Sequence, residues 1–333
     1  MRSLISIALL SVCSGFSFAG DPIPTEGGFS GFINLGVGAG QIESNMLAGI
    51  KSIDMGNDRI DSLGSPDGED VVLPVGGFEL SYTFAETRTQ VFFGNLLEDY
   101  LRFDLTSRFG VRQGIEGVGN FSIEALMTPI TTDTWEDPYV TGSKRRGTER
   151  SSTGVRVSWD RIMQTGIELR IAARELDVDD EHSGESLDLD VAERAMLQRT
   201  GDFLKIDLLW SIKLSEQSRL IPSLSYVDRD LDGDAMARSG YLATLSYQVN
   251  SGRFTYVTNV GFGKYESDDT NPIFGKTDER DALAASFTLF YHRPFGWENW
   301  ALNAGLAWSE EDSNMNFYDA NATLASVGLL RRF

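Results

Sequence analysis

The sequence predicts an all-β chain closed into a transmembrane, antiparallel, up-and-down barrel of about fourteen strands, with twelve and sixteen as the neighbouring even counts. Three observations carry that expectation. A hydrophobic period of two runs the length of the chain, short connections alternate with long ones, and aromatic rings gather at both strand ends.

The period is explicit in Gly77 to Ala85, where Phe78, Leu80, Tyr82 and Phe84 share one face while Glu79, Ser81 and Thr83 share the other. It recurs at Leu101, Phe103 and Leu105, at Phe121 to Met127, at Val155 to Trp159, and at Ile167 to Ile171. It continues through Leu204 to Trp210, Leu220 to Tyr226, Tyr241 to Tyr247, Phe254 to Phe262, Leu283 to Tyr291 and Trp300 to Trp308. An opening strand from Phe29 to Ala39, a weaker one at Thr89 to Leu97 and a last one at Asn321 to Phe333 complete fourteen.

Alternation alone also describes a soluble β-sandwich, so the connections decide. Short ones fall near 86–88, 112–116, 160–164, 213–219, 249–253 and 293–299, with a further tight link at 98–100. Long ones fall near 40–73, 128–151, 177–199, 228–238, 266–280 and 309–319. Segregation of length by strand parity belongs to a barrel with brief periplasmic turns and extended outer loops. Trp159, Trp210, Trp297 and Trp300, with Tyr247, Tyr256 and Tyr291, lie at the short-turn end; Trp308, Tyr226, Tyr241 and Tyr265 lie at the other, as two interfacial belts. Trp135 sits in a loop.

Charge narrows the function. The 49 acidic residues against 29 basic ones give a net charge of −20, which argues against coating nucleic acid. The six long segments together carry that whole excess, so an acidic rim is expected outside, drawing divalent cations and favouring cationic solutes. Arg2, the apolar run Leu4 to Val12 and the small-x-small site Ser17-Phe18-Ala19 form a secretory signal at residues 1–19, leaving 20–333 as one domain. Cys13 departs with it, so the mature chain has no thiol for a disulfide or a thiolate metal site.

Candidate chemistry is sparse. Of the two histidines, His182 follows the acidic pair Asp180 and Glu181 in the most acidic loop, the minor case for a rim hydrolase, and His292 ends a strand beside Arg293 and Pro294. Both read more simply as a solvated loop histidine and an interfacial one, so no catalytic residue is assigned. Asp228, Asp230, Asp232 and Gly233 match the first half of a calcium loop, but Ser239 stands where its closing glutamate belongs. An acidic hairpin turn competes with a calcium site there, and no other cofactor is implied.

The inward face offers the remaining candidates: Glu79, Arg102, Asp104, Arg108, Glu124, Arg156, Glu168, Arg170, Arg174, Lys205 and Asp207 on the earlier strands. Later strands offer Ser223, Ser225, Thr244, Ser246, Gln248, Asn259, Ser286, Thr288 and Asn303, so a wall charged in both signs faces a neutral one rich in hydroxyls and amides. Such a lumen either orients passing polar solutes or fills a closed barrel with paired charges.

The closing stretch ASVGLLRRF, with Ala325, Val327 and Leu329 on the face of Phe333, resembles the assembly signal of bacterial outer-membrane proteins, although Arg331 stands where an aromatic or apolar residue is usual. With the opening GFSGFINLGVGAG, the layout is similar to an uncharacterised family of outer-membrane barrels from marine and enteric gammaproteobacteria, over most of the mature chain. The resemblance implies a Gram-negative outer membrane, lipopolysaccharide and the barrel-assembly machinery as partners, and no site residues. The reading is a pore for small polar solutes, with a non-conducting barrel whose loops bind headgroups, cations or surfaces as the alternative. Register is testable: Leu208→Arg, on the lipid face, should cost roughly 2 to 4 kcal/mol and impair assembly, whereas Asp207→Asn, on the lumen face, should not. Equal defects in the heat-modifiability of the two variants would put the strand out of register by one residue.

Overall fold

The computed structural model describes residues 22–51, 53–95 and 105–333. The period of two becomes fourteen long strands: β1 (Gly28–Ser44), β2 (Gly68–Phe84), β3 (Thr89–Asn95), β4 (Leu105–Ile115), β5 (Gly119–Ile130), β6 (Gly147–Asp160) and β7 (Ile167–Val178). They continue as β8 (Gly201–Trp210), β9 (Ser218–Leu231), β10 (Arg238–Ser251), β11 (Phe254–Asn271), β12 (Lys276–His292), β13 (Trp300–Ser313) and β14 (Ala320–Arg332). Each pairs antiparallel with its sequence neighbours, and β1 pairs with β14 from Phe32 opposite Arg332 to Ser44 opposite Ala320. The sheet therefore closes into a barrel, as the loop parity predicts. The signal at 1–19, with Cys13, the link at 98–100, and the lumen candidates Arg102 and Asp104 lie outside the described residues.

The outward face defines the lipid band. Along β11 the outward positions read Phe254, Tyr256, Thr258, Val260 and Phe262, then change to Lys264, Glu266 and Asp268. β12 repeats the change between Leu283 and Asp281, and β13 repeats it between Trp308 and Glu310. Eight residues of strand at about 3.3 Å each, tilted by about 40°, span roughly 20 Å, close to the height of a lipid-facing belt. Leu208 is half exposed on this face, while Asp207 is largely covered on the other, so the predicted register holds.

Three of the expected long loops are in large part strand, 266–280 mostly so. The ladder runs through 228–238, 266–280 and 309–319 and leaves turns of only 232–237, 272–275 and 314–319; likewise 40–73 shrinks to 45–67. The sequence records a change of composition there, not an end of pairing. Above the lipid an outward side chain need not be apolar, and backbone pairing continues as long as the inward groups are satisfied. Ser313 Oγ donates to Asp278 Oδ1 at 2.6 Å, and the Asp278 amide donates to Ser267 Oγ at 2.8 Å.

The belts form as expected with one correction. Trp159 stacks on Phe121 at 5.3 Å, and Tyr226 meets Tyr241 at 5.3 Å, both pairs on the outer face. Tyr265 does not join the second belt. Its odd position on β11 sends it inward with Val257 and Asn259, and it is buried.

The seam closes tightly. Gly31 and Phe333 exchange both backbone hydrogen bonds at 3.1 Å. A Cβ on Gly31 would stand 2.1 Å from the Glu79 carbonyl oxygen and 3.1 Å from the Phe333 ring, so the position excludes any side chain. Arg331 lies outward with its guanidinium 5.4 Å from the Trp300 ring centroid, which gives the departure from the usual C-terminal pattern a physical place as a cation–π contact in the belt.

Two glycine turns mark the barrel ends. Gly252 (φ 61°) and Gly275 (φ 66°) occupy the left-handed region in short hairpins, with open space around them. On the orientation argued from loop length, a protease site inserted at Gly275 should be cut on intact cells and one at Gly252 should be protected. The opposite pattern would invert the barrel.

Candidate functional site: the lumen and its long-loop cap

Inward positions on β2 and β4 to β8 build the charged wall. Arg108 donates through Nη2 to Glu79 and lies 3.4 Å through Nη1 from Glu124 Oε2, the same oxygen that Arg156 Nη2 meets at 2.6 Å. Small residues create the room. A Cβ on Gly110 would come within 2.8 Å of Glu124 Cγ, so the glycine opposite Glu124 lets that carboxylate lie between two guanidiniums. The ladder continues with Arg170 on Glu168, then Lys205 Nζ 3.1 Å from Asp207, whose Oδ1 accepts from Ser225 Oγ at 2.5 Å. Arg174, further up β7, donates to Thr106 Oγ1 at 3.0 Å.

Sequence reading missed one member. Arg112 grips Asp160 with Nε and Nη2 at 2.9 and 2.7 Å, and Asn120 Nδ2 adds a third bond at 2.6 Å. Both charges sit one step beyond the strand ends assigned from apolar pattern. Extending the same parity by one position would have found them.

The opposite wall is neutral. Ser223 bonds Thr244, Asn259 Nδ2 donates to Ser286 Oγ at 3.0 Å, and Asn303 Nδ2 donates to Asn34 Oδ1 at 2.8 Å. His292 faces this interior rather than the lipid interface: its Nε2 is 2.8 Å from Thr255 Oγ1 and its ring stacks on Phe290.

The outer mouth holds a structure that no strand pattern announced. Ile60, Tyr139, Leu197, Met315, Phe317 and Tyr318 pack into one buried cluster, joined by Leu187, Met236 and Phe274. These residues come from all six long segments. Tyr139 and Tyr318 share a hydroxyl hydrogen bond of 2.6 Å, and Asn271 Nδ2 donates to the Tyr318 oxygen at 2.7 Å. Burial raises both phenols, Tyr318 to about 12, so they are neutral at physiological pH.

Backbone stitching supports the cluster. The short strand Leu47–Ile50 pairs with Thr132–Trp135, which in turn pairs with β6, so the segment after β1 is tied to the segment after β5. Arg145 is wholly buried, donating to the carbonyls of Asn45, Pro138 and Asn57 with its guanidinium 4.3 Å from the Trp135 ring. Its burial lowers its pKa to about 10, still protonated at neutral pH. Arg199 holds Glu181 and the Trp135 carbonyl.

The rim candidates do not assemble. His182 Nδ1 lies 3.3 Å from Glu185, not from Asp180 or Glu181, and the histidine is exposed. Asp228 and Asp230 are not loop ligands but alternate outward positions of β9, and Asp232 follows in the turn. Among the described residues no three carboxylates or histidines converge to hold a metal ion. A strand spaces like-facing carboxylates along a line, whereas a calcium loop curls them around a point.

A family model matches the chain over residues 28–331, from first strand to last. No curated protein matches it. Among solved structures, the chain is similar to the outer membrane channel DcaP of Acinetobacter baumannii, at 10% identity over 95% of this chain and 100% of that one, with a TM-score of 0.46. It is also similar to a Pseudomonas aeruginosa FadL homologue, at 8% identity over 91% and 90%, TM-score 0.43. An anion-selective porin from Comamonas acidovorans aligns at 10% identity over 92% and 100%, TM-score 0.40.

The charged wall makes a graded prediction. Glu124→Gln removes the carboxylate between Arg108 and Arg156 and should cost about 3 to 5 kcal/mol, the loss expected when one side of a buried pair is neutralised. Glu79→Gln, which leaves Arg108 its contact with Glu124, should cost less. Urea unfolding in lipid vesicles checks the order, and equal losses would mean that Glu124 is not the shared centre.

Proposed function

Since the chain belongs to the family described as a protein of unknown function (DUF2860), membership assigns no task, and we propose from geometry that the barrel is an outer-membrane channel for small polar solutes, closed outside by its cap. One observation carries the reading: the interior is divided lengthwise into a charged wall and an amide- and hydroxyl-lined wall. A round cylinder of fourteen strands about 4.8 Å apart and tilted by about 40° is roughly 28 Å across between backbones, more than two facing layers of side chains fill. Paired charges on one side and neutral hydrogen-bonding groups on the other give a polar solute an oriented path.

The reading includes export through the leader at 1–19 and assembly through the β14 end signal at Phe333. It places the outward acidic residues above the lipid band, among them Asp228, Asp230, Glu266, Asp281 and Asp312, beside phosphorylated headgroups that divalent cations would bridge. Part of the rim charge is elsewhere: Arg238, Asp278, Arg280 and Glu311 point inward and pair there. The cap itself favours a second reading, a non-conducting barrel that presents its loops for binding, because six segments share one packed core.

Planar-bilayer recording separates the two. Purified protein should show rare, brief steps, and Tyr139→Ala with Tyr318→Ala, which cuts the hydroxyl bond and opens the aromatic cluster, should lengthen the open time. Silent membranes for both proteins, with folding verified, would overturn the channel in favour of the binding barrel.

A further inference from the structure

At the short-turn end, opposite the cap, the chain ahead of β1 folds back on the barrel. Pro22, Pro24, Thr25, Glu26 and Gly27 are exposed, yet Ile23 is only 5% exposed. Gly114 on β4 is its seat. A Cβ there would stand 3.3 Å from Ile23 Cδ1, 3.2 Å from Arg88 Nε and 3.2 Å from Asn120 Oδ1, so these three side chains meet over the bare glycine. Gly114 shares the inward parity of Arg108, Gly110 and Arg112, which puts Ile23 inside the ring of strands.

The local sequence explains why this segment does not lengthen β1. Pro22 and Pro24 carry no amide hydrogen for a ladder, and a residue ahead of proline is biased toward extended backbone, which holds Ile23 out as a peg. The chain leaves β1 past the end of β2, where a Cβ on Gly27 would stand 3.2 Å from the Thr83 carbonyl oxygen, and it bends at Thr25 and Glu26. From there it passes two strands, since β2 and β3 separate β1 from β4 in the ladder. Neighbouring strands lie about 4.8 Å apart, so the arc is about 14 Å, within the roughly 17 Å that the five steps from Ile23 to Gly28 reach. The seat itself is fixed. Gly114 lies opposite Asn120, its amide donates to the Arg88 carbonyl at 2.8 Å, and Asn120 is held by Asp160, which Arg112 grips.

We propose that residues 22–27 are a strap that closes part of the short-turn mouth, pegged by Ile23 on Gly114, and that withdrawal of the peg opens this end. It is a second closure, at the end away from the cap, and it stands whether or not solutes pass through the barrel. Residues 22–27 belong to no strand, so the peg leaves its seat with the barrel ladder intact. The bend at Thr25 and Glu26, exposed on the surface, supplies the pivot. A single buried isoleucine between exposed neighbours is a fastening of low local stability, the property that a moving element requires.

The test is thiol labelling of the refolded full-length chain in non-ionic detergent with a charged maleimide, in a Cys13→Ser background, because Cys13 is the one cysteine of the sequence. The thiol of Ile23→Cys should react at least about tenfold more slowly than that of Thr25→Cys, the protection expected of a buried apolar side chain. Gly114→Val, which fills the seat, should bring the Ile23→Cys rate close to the Thr25→Cys rate. Pro22→Gly with Pro24→Gly loosens the strap without touching the barrel, should raise the Ile23→Cys rate as well, and guards against a Gly114 variant that fails to fold. Access to the mouth is read at Ser122→Cys, an inward position of β5 beyond Asn120, which should label several-fold faster when Ile23→Asp releases the strap. Equal rates at positions 23 and 25, or an Ile23→Cys thiol that stays slow in both folded release variants, would overturn the peg. Unchanged Ser122→Cys labelling on release would overturn the closure. Because labelling needs no conductance, a silent membrane with position 23 protected would sink the channel alone, and conductance with equal labelling would sink the strap alone.

Discussion

Everything in this protein depends on closing the ladder between the first strand and the last. Hydrocarbon offers no hydrogen-bond partner, so a sheet with an open edge cannot stand in a bilayer, and the pairing of Phe32 to Ser44 with Ala320 to Arg332 removes both edges together. Once the sheet is a cylinder, each side chain has one of two destinations. Residues of even number on β11 face outward and those of odd number face the interior, without exception from Phe254 to Ser267. The same constraint explains the bare backbone at Gly31, where the sheet passes too close to Glu79 to admit a Cβ.

Inside the cylinder the problem changes from hydrogen bonding to charge. Arg108, Glu124 and Arg156 share carboxylate oxygens across adjacent strands, and each is covered by its neighbours, so the wall behaves as one network rather than as separate pairs. Such a network costs desolvation and returns geometry: the positions of its guanidiniums are held by partners on three strands. The opposite wall uses neutral groups, which need fewer partners and leave the middle of the barrel with a directional field. Higher up, Phe203 stands between Arg174 and Arg229, and the polar interior grades into the apolar cap.

How far the sequence foretold this follows from the range over which each feature is coded. Strand faces are coded by residues two apart, and the alternation from Phe78 to Phe84 or Leu204 to Trp210 identified lipid and lumen sides residue by residue. Tyr265 was misplaced by ignoring that same parity at a strand end, and Arg112 and Asp160 were missed because apolar pattern fades where charge begins. Outer loops were overestimated for a related reason, since a strand above the lipid keeps its ladder after losing its hydrophobic signature. The cap was invisible. Ile60, Tyr139, Leu197 and Tyr318 are scattered through segments with no period, and nothing local in any of them says that they meet. The row of Arg174, Phe203 and Arg229 needed the register of three strands before it existed as a feature at all.

The seam also sets an order of events. β1 is synthesised first and its outer edge waits for β14, some three hundred residues later, so the contact that completes the sheet is also the one with the greatest loop to close. Until then the nascent chain presents two unpaired edges flanked by apolar faces, the arrangement most prone to joining other chains. A molecule whose stability is realised only by its last pairing has no useful partly built state. Its folding is therefore governed by custody of the unfinished chain as much as by the contacts of the finished one.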